Sequence, residues 1–264
     1  MRTFTRLSLT VLTCSILAAC GSSGSSSSHS SSSVNQENSG SGVVVAPKLN
    51  FPTGTGAAYV SKYSDKDVKE SRVDLKDAGT EFLNVDGQSM RLDYSKGIGG
   101  LTIKTGTWLS DGVSSVCCGA YSDVRFGVLE GGPDDTSYVF YNGNPTTIMP
   151  TGKATYNGHA LVTGNNAKFE DEDWLRGTAQ FTADFANKKL DGTLLVNTLQ
   201  PITINSEIKN NSFAGTAKSA EFHTIATVEG KFYGENAKEL GGMFKNSSKA
   251  GDDTAWGGVF GASK

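Results

Sequence analysis

GKATYNGHALVT, residues 152–163, decides the fold. Ala154, Tyr156, Gly158, Ala160 and Val162 occupy every second position. Successive side chains of a strand point to opposite faces, so these five share one face. That face is small and apolar with a single aromatic, and the other is mostly polar. The period is that of a strand with one buried side. The rhythm returns at Ala179, Phe181, Ala183 and Phe185. Outward from this stretch, the pattern predicts strands at 152–163, 177–185, 189–196, 202–208, 212–220, 227–233, 239–244 and 254–262. They are joined mostly by short turns. Such a series suits an antiparallel up-and-down barrel of eight strands, which removes sheet edges by closure. The small and aromatic residues then fill a narrow lumen. Several strands fall short of the roughly 9–11 residues that a membrane-crossing barrel strand needs. A filled, soluble barrel is the expectation.

The preceding part is also β but less regular, with candidate strands at 57–63, 81–85, 90–94, 101–109, 121–129 and 137–141. Asp86-Gly87 is a hairpin signal, and Asn142-Gly143 is predicted to be a second turn. The fold class is therefore all-β: a β-rich domain over 43–150, then the barrel over 151–264.

The first 42 residues have another character. Arg2 and Arg6 precede an apolar run, Leu7 to Leu17, too short for a stable membrane span. Leu17-Ala-Ala-Cys20 closes it in the order of a bacterial lipobox. Residues 1–19 are expected to be a lipoprotein signal peptide. Cys20 is expected to carry the acyl chains, palmitate among them. Gly21 at the next position, in place of an aspartate, directs the expectation to the outer membrane. At about 0.8 kcal/mol per buried methylene, three chains make a permanent anchor. Residues 20–42 begin GSSGSSSSHSSSS after the cysteine. Serine and glycine cannot bury enough apolar surface to offset their ordering entropy. A flexible tether is expected, with a reach of about 25 Å. His29 within it carries no expected role.

Charge is balanced, with 24 basic and 27 acidic residues giving −3. No basic stripe exists, which argues against nucleic acid. The motifs of serine hydrolases, zinc proteases, P-loop NTPases and zinc modules are absent, so a binding protein rather than an enzyme is expected, with no metal. The candidates for recognition are few. Cys14 leaves with the signal, so Cys117 and Cys118 remain, adjacent in sequence. A vicinal disulfide, free thiols and an intermolecular bridge all stay open. Within Val116-Cys-Cys-Gly-Ala-Tyr121, a bridged loop tip would present Tyr121 as a low-entropy anchor. The alternative is that the cysteines pad a strand. His159 lies on the strand face opposite Tyr156 and is expected to be a surface or rim histidine. His223 is a second rim candidate, with axial ligation of haem as the sharper reading. Glu170-Asp-Glu-Asp173 is expected to be solvated. Trp174 beside it either is an exposed anchor or packs over a barrel end.

Several segments in order carry a resemblance. They are Gly152–Gly158, Thr182-Ala-Asp-Phe185, Leu190-Asp-Gly-Thr193, Asn211-Ser-Phe-Ala-Gly215, Gly230-Lys-Phe-Tyr-Gly234, Ala237–Phe244 and Gly258-Val-Phe-Gly-Ala262. Residues 152–264 resemble the β-barrel domain of the transferrin-binding protein B family. That family includes factor H binding protein, haemoglobin–haptoglobin receptor lipoproteins and the hemophilins. The N-terminal half resembles the handle domain that precedes such barrels, with room for one handle–barrel lobe. The resemblance implies a surface-exposed outer-membrane lipoprotein exported by a Slam-type translocon. It further implies capture of haem or a haem- or iron-carrying host protein for nutrient acquisition, with handover to a TonB-dependent outer-membrane transporter. A host plasma protein or complement regulator, or a purely structural or adhesive role, are the alternatives.

Overall fold

The computed structural model describes residues 48–64, 67–92, 108–110, 114–117, 119–132 and 135–264. The expected signal peptide and tether, with Cys20, lie outside them, as does Cys118. The described part falls within one compact unit, Val45–Lys264.

Eight strands form a closed antiparallel barrel. They are β9 (Lys153–Gly164), β10 (Leu175–Asp184), β11 (Lys189–Leu195), β12 (Ile202–Lys209), β13 (Ser212–Lys218), β14 (Ala226–Tyr233), β15 (Glu239–Lys245) and β16 (Trp256–Ser263). Each pairs with its sequence neighbour, and β16 closes on β9 through Trp256↔Gly164 to Ser263↔Asn157. Alternation sends Tyr156, Ala160, Val162, Ala179, Phe181 and Ala183 into the lumen. Phe181 and Phe260 meet there with centroids 4.9 Å apart, and Phe213 meets Phe232 at 5.5 Å. The lumen is a packed core, as predicted.

Before the barrel comes a handle. Its six-stranded sheet runs in the order β2-β1-β8-β7-β6-β5. The strands are β1 (Gly56–Tyr63), β2 (Val68–Leu75), β5 (Leu109–Ser110), β6 (Ser115–Cys117), β7 (Val124–Gly132) and β8 (Thr136–Gly143). A separate hairpin, β3 (Phe82–Val85) and β4 (Gln88–Arg91), turns at Asp86-Gly87, both with positive φ. That matches the predicted hairpin signal. Asn142-Gly143 departs from expectation. It is not a turn but the end of β8, paired with Arg125 and Val124. A Cβ at Gly143 would sit 1.9 Å from the Asp123 carbonyl oxygen, so glycine is there for close approach.

The handle sheet is covered on both faces. Leu83, Val85 and Leu92 of the hairpin region pack with Ala58, Val60, Tyr138 and Phe140. Ala57, Phe126, Val128 and Tyr141 pack instead against Leu161, Tyr233, Met243 and Val259 on the barrel's outside. This second layer makes handle and barrel one body.

Candidate functional site

Among the described residues, the buried charge lies at the seam between handle and barrel. Val228 fills the lumen, so its neighbour Glu229 is directed outward, under the handle. Arg72 Nε donates to both Glu229 carboxylate oxygens, at 2.9 and 2.7 Å. Its Nη2 donates to Asp74 at 2.8 Å. Asn50 Nδ2 and Tyr141 Oη complete the set on Glu229, at 3.0 and 3.3 Å. Burial raises the Glu229 pKa above the ordinary carboxylate range, with Arg72 opposing the rise. Burial first, and then Glu229, push Tyr59 up to about 12. Lys231, two residues on, donates to Ser212 Oγ at 2.8 Å and the Pro52 carbonyl at 3.2 Å, and burial lowers its pKa.

A second clasp is Glu239 at the start of β15, only 1% exposed. Its carboxylate accepts from three consecutive backbone N–H groups, Ser122 at 2.8 Å, Asp123 at 2.8 Å and Val124 at 3.0 Å. Charge-assisted bonds of this kind are the stronger ones. They fix the segment that leads out of the 119–121 turn into β7.

Of the predicted recognition residues, Cys117 and Tyr121 share the seam core, and His223 is not part of it. Cys117 is buried in β6, opposite Phe126 of β7, and is disulfide-bonded. Tyr121 is not an exposed anchor. It is 3% exposed and packs among the seam residues. Its hydroxyl meets His159 Nδ1 at 3.1 Å and donates to the Gly261 carbonyl at 3.2 Å. His159 points out of the barrel, as alternation requires, and is half-buried there. The handle covers it through Tyr121 and Trp108, and burial lowers its pKa. Trp174 likewise faces the handle, donating to Glu130 at 3.1 Å. His223 is exposed between β13 and β14, far in sequence from the Cys117 segment. Glu170–Asp173 are exposed, as expected. Among the described residues no group of three or more His, Cys, Asp or Glu could hold a metal.

Large apolar side chains stand exposed elsewhere, Ile148, Leu195 and Ile225 among them. Tyr63 is 47% and Phe82 46% exposed, both on handle strands. Lys62 pairs with Asp86 at 2.5 Å and ties the end of β1 to the β3–β4 turn. The sequence held a signal for Phe82: Leu83 and Val85 point inward, so Phe82 and Asn84 stand on the outer face. An aromatic residue on the polar face of a strand marks an interface candidate.

A family model, the C-lobe and N-lobe β-barrels of transferrin-binding protein B, matches residues 149–264. An uncharacterised protein of Haemophilus influenzae is 38% identical over 98% of both chains. The chain belongs to the transferrin-binding protein B-like family. Transferrin-binding protein B of Neisseria meningitidis serogroup B is 38% identical over 33% of this chain and 16% of its own length. The solved serogroup B isotype 1 protein superposes with a TM-score of 0.58 at 25% identity, covering 79% of this chain and 43% of that one. This lobe thus spans less than half of that transferrin-binding protein B. HpuA of Kingella denitrificans, solved in complex with human haemoglobin, shares the fold with a TM-score of 0.51 at 17% identity, over 83% of this chain and 88% of that one.

Proposed function

We propose that this lobe is a surface lipoprotein, tethered through Cys20, that captures an iron-carrying host protein for nutrient acquisition. The observation that carries the reading is the clasped seam. Buried ionic and apolar contacts hold handle and barrel in one rigid frame, which leaves the exposed handle residues free for recognition. Its relatives include proteins that bind transferrin and, in HpuA, haemoglobin. Buried polar groups such as Glu229 and Glu239 are committed to the seam, which suits binding rather than catalysis. Export by a Slam-type translocon and transfer of cargo to a TonB-dependent transporter complete the reading. Haem itself is the second ligand considered, with His223 as its exposed axial candidate. Binding of purified human haemoglobin and iron-loaded transferrin to the immobilised full chain tests the proposal. One of the two should bind, and Tyr63→Ala with Phe82→Ala should weaken that binding roughly tenfold, about 1.4 kcal/mol. Binding of neither, with a Soret band appearing on addition of free haem and lost in His223→Ala, would instead assign the lobe to haem.

A further inference from the structure

Residues 50–55, which lead into β1, belong to no strand. Irregular backbone has no ladder to hold it, so other contacts must. Here every residue is held. Asn50 Nδ2 donates to Glu229 at 3.0 Å. Lys209 Nζ lies 5.6 Å from the centre of the Phe51 ring. The Pro52 carbonyl accepts from Lys231 Nζ at 3.2 Å and from Ser212 Oγ at 3.0 Å. Thr53 Oγ1 donates to Asp74 at 3.1 Å. A Cβ at Gly54 would lie 1.9 Å from the Leu75 carbonyl oxygen, so the chain runs hard against β2 there. Thr55 donates its N–H to that oxygen at 2.7 Å and its hydroxyl to Asn142 at 2.8 Å, and its carbonyl accepts from Tyr233 Oη at 2.9 Å. The order of these contacts along the chain is informative. Asn50, Phe51 and Pro52 are held by β12, β13 and β14 of the barrel. Contacts to β2 and β8 of the handle begin only at Thr53.

We propose that residues 50–55 are a mechanical strap, which passes tension arriving from the N-terminal side into the barrel wall before it reaches β1. The role rests on the tethering proposed above. A closed barrel offers no edge strand at which peeling can start. The handle sheet is open, and β1 lies one strand in from its edge. Tension entering at Gly56 would load the ladder bonds of β1 from one end, a pair at a time. Tension entering at Asn50 is resisted first by Glu229 and Lys231, both buried in the wall of the barrel. β1 itself carries Tyr63, half of the exposed aromatic pair proposed for recognition. A captured protein pulling against the anchor would otherwise strip away its own footing. The strap keeps that pull off the recognition surface.

An optical trap that pulls the full chain between its two termini, with Cys20→Ala for isolation without lipid, tests the strap. The trap grips protein and not lipid, so its outcome is independent of acylation, and membrane fractionation of the Cys20→Ala chain tests the tether separately. The parent should open without an early step. Asn50→Ala with Phe51→Ala removes two barrel contacts whose side chains lie outside the packed core. This variant should show an early step of roughly 20 Å, the length of the freed residues at about 3.4 Å each. It should then open roughly tenfold faster at constant force, because forced opening follows the unfolding rate and a hydrogen bond to a carboxylate has been lost. A second path runs from a peptide tag inserted after Asn187, in an exposed turn, to the C-terminus, and bypasses the strap. Along it the variant should open at the parental rate. A variant with no early step and an unchanged rate overturns the proposal. So does equal acceleration along both paths, which would make residues 50–55 an ordinary stabilising contact with no part in directing force.

Discussion

Arg72 and Glu229 stand 157 positions apart in sequence and 2.7 Å apart in space. Removing one partner of a buried pair strands the other charge, at a cost of about 3–5 kcal/mol. Arg72→Ala should therefore destabilise by about that much in urea titrations, and adding Glu229→Gln should recover a large part of it. A double variant whose loss equals the sum of the two single losses would show that the residues act independently. The pH dependence has a defined sign. The folded pKa of Glu229 is raised, so its ionised form carries a folding penalty above the unfolded value of about 4.5. The Arg72→Ala defect should be full near neutral pH and recede as pH falls through the folded pKa. At this scale little was legible in advance. Alternation gave the outward direction of His159 but not what lies over it, because Tyr121 reaches it from 38 residues away. A tyrosine beside two cysteines and a glycine has the composition of a loop tip, and only the seam packing shows it to be buried.

The seam also decides the meaning of single glycines within the strands. Gly261 of β16 faces outward, and a Cβ there would lie 2.2 Å from the Phe126 ring of the handle. Gly261→Val should overpack that contact and cost about 1–3 kcal/mol. The loss should appear in thermal unfolding, with protease cleavage rising in the handle before the barrel. A variant as stable as the parent would mean that the handle does not rest on β16. The barrel strands were legible for two reasons. β10, β11 and β12 have one dry face and keep a period of two. β14, β15 and β16, covered by lumen and handle alike, read as short apolar, glycine-rich runs between turns. The handle was less legible. β2, Val68–Leu75, contains Lys69, Glu70, Arg72 and Asp74, and its burial is mostly partial. An edge strand with such side chains shows no apolar alternation, since charge on an edge guards against stray pairing. β6 is three residues long, too short for any period to register.

For the whole molecule, the order of glycine-rich barrel segments was enough to indicate the family, because closure of a narrow barrel constrains residue size at many positions at once. The partner was not legible. The proposed recognition surface consists of isolated exposed side chains such as Tyr63 and Phe82, which closure does not constrain. The central claim is that one rigid lobe captures an iron-carrying host protein. Affinity capture from human serum and erythrocyte lysate on the full chain, quantified by mass spectrometry, tests it most directly. Enrichment of haemoglobin, its haptoglobin complex or transferrin, lost on Tyr63→Ala with Phe82→Ala, is the predicted result. Enrichment of a complement regulator instead, or of no iron carrier, would contradict it.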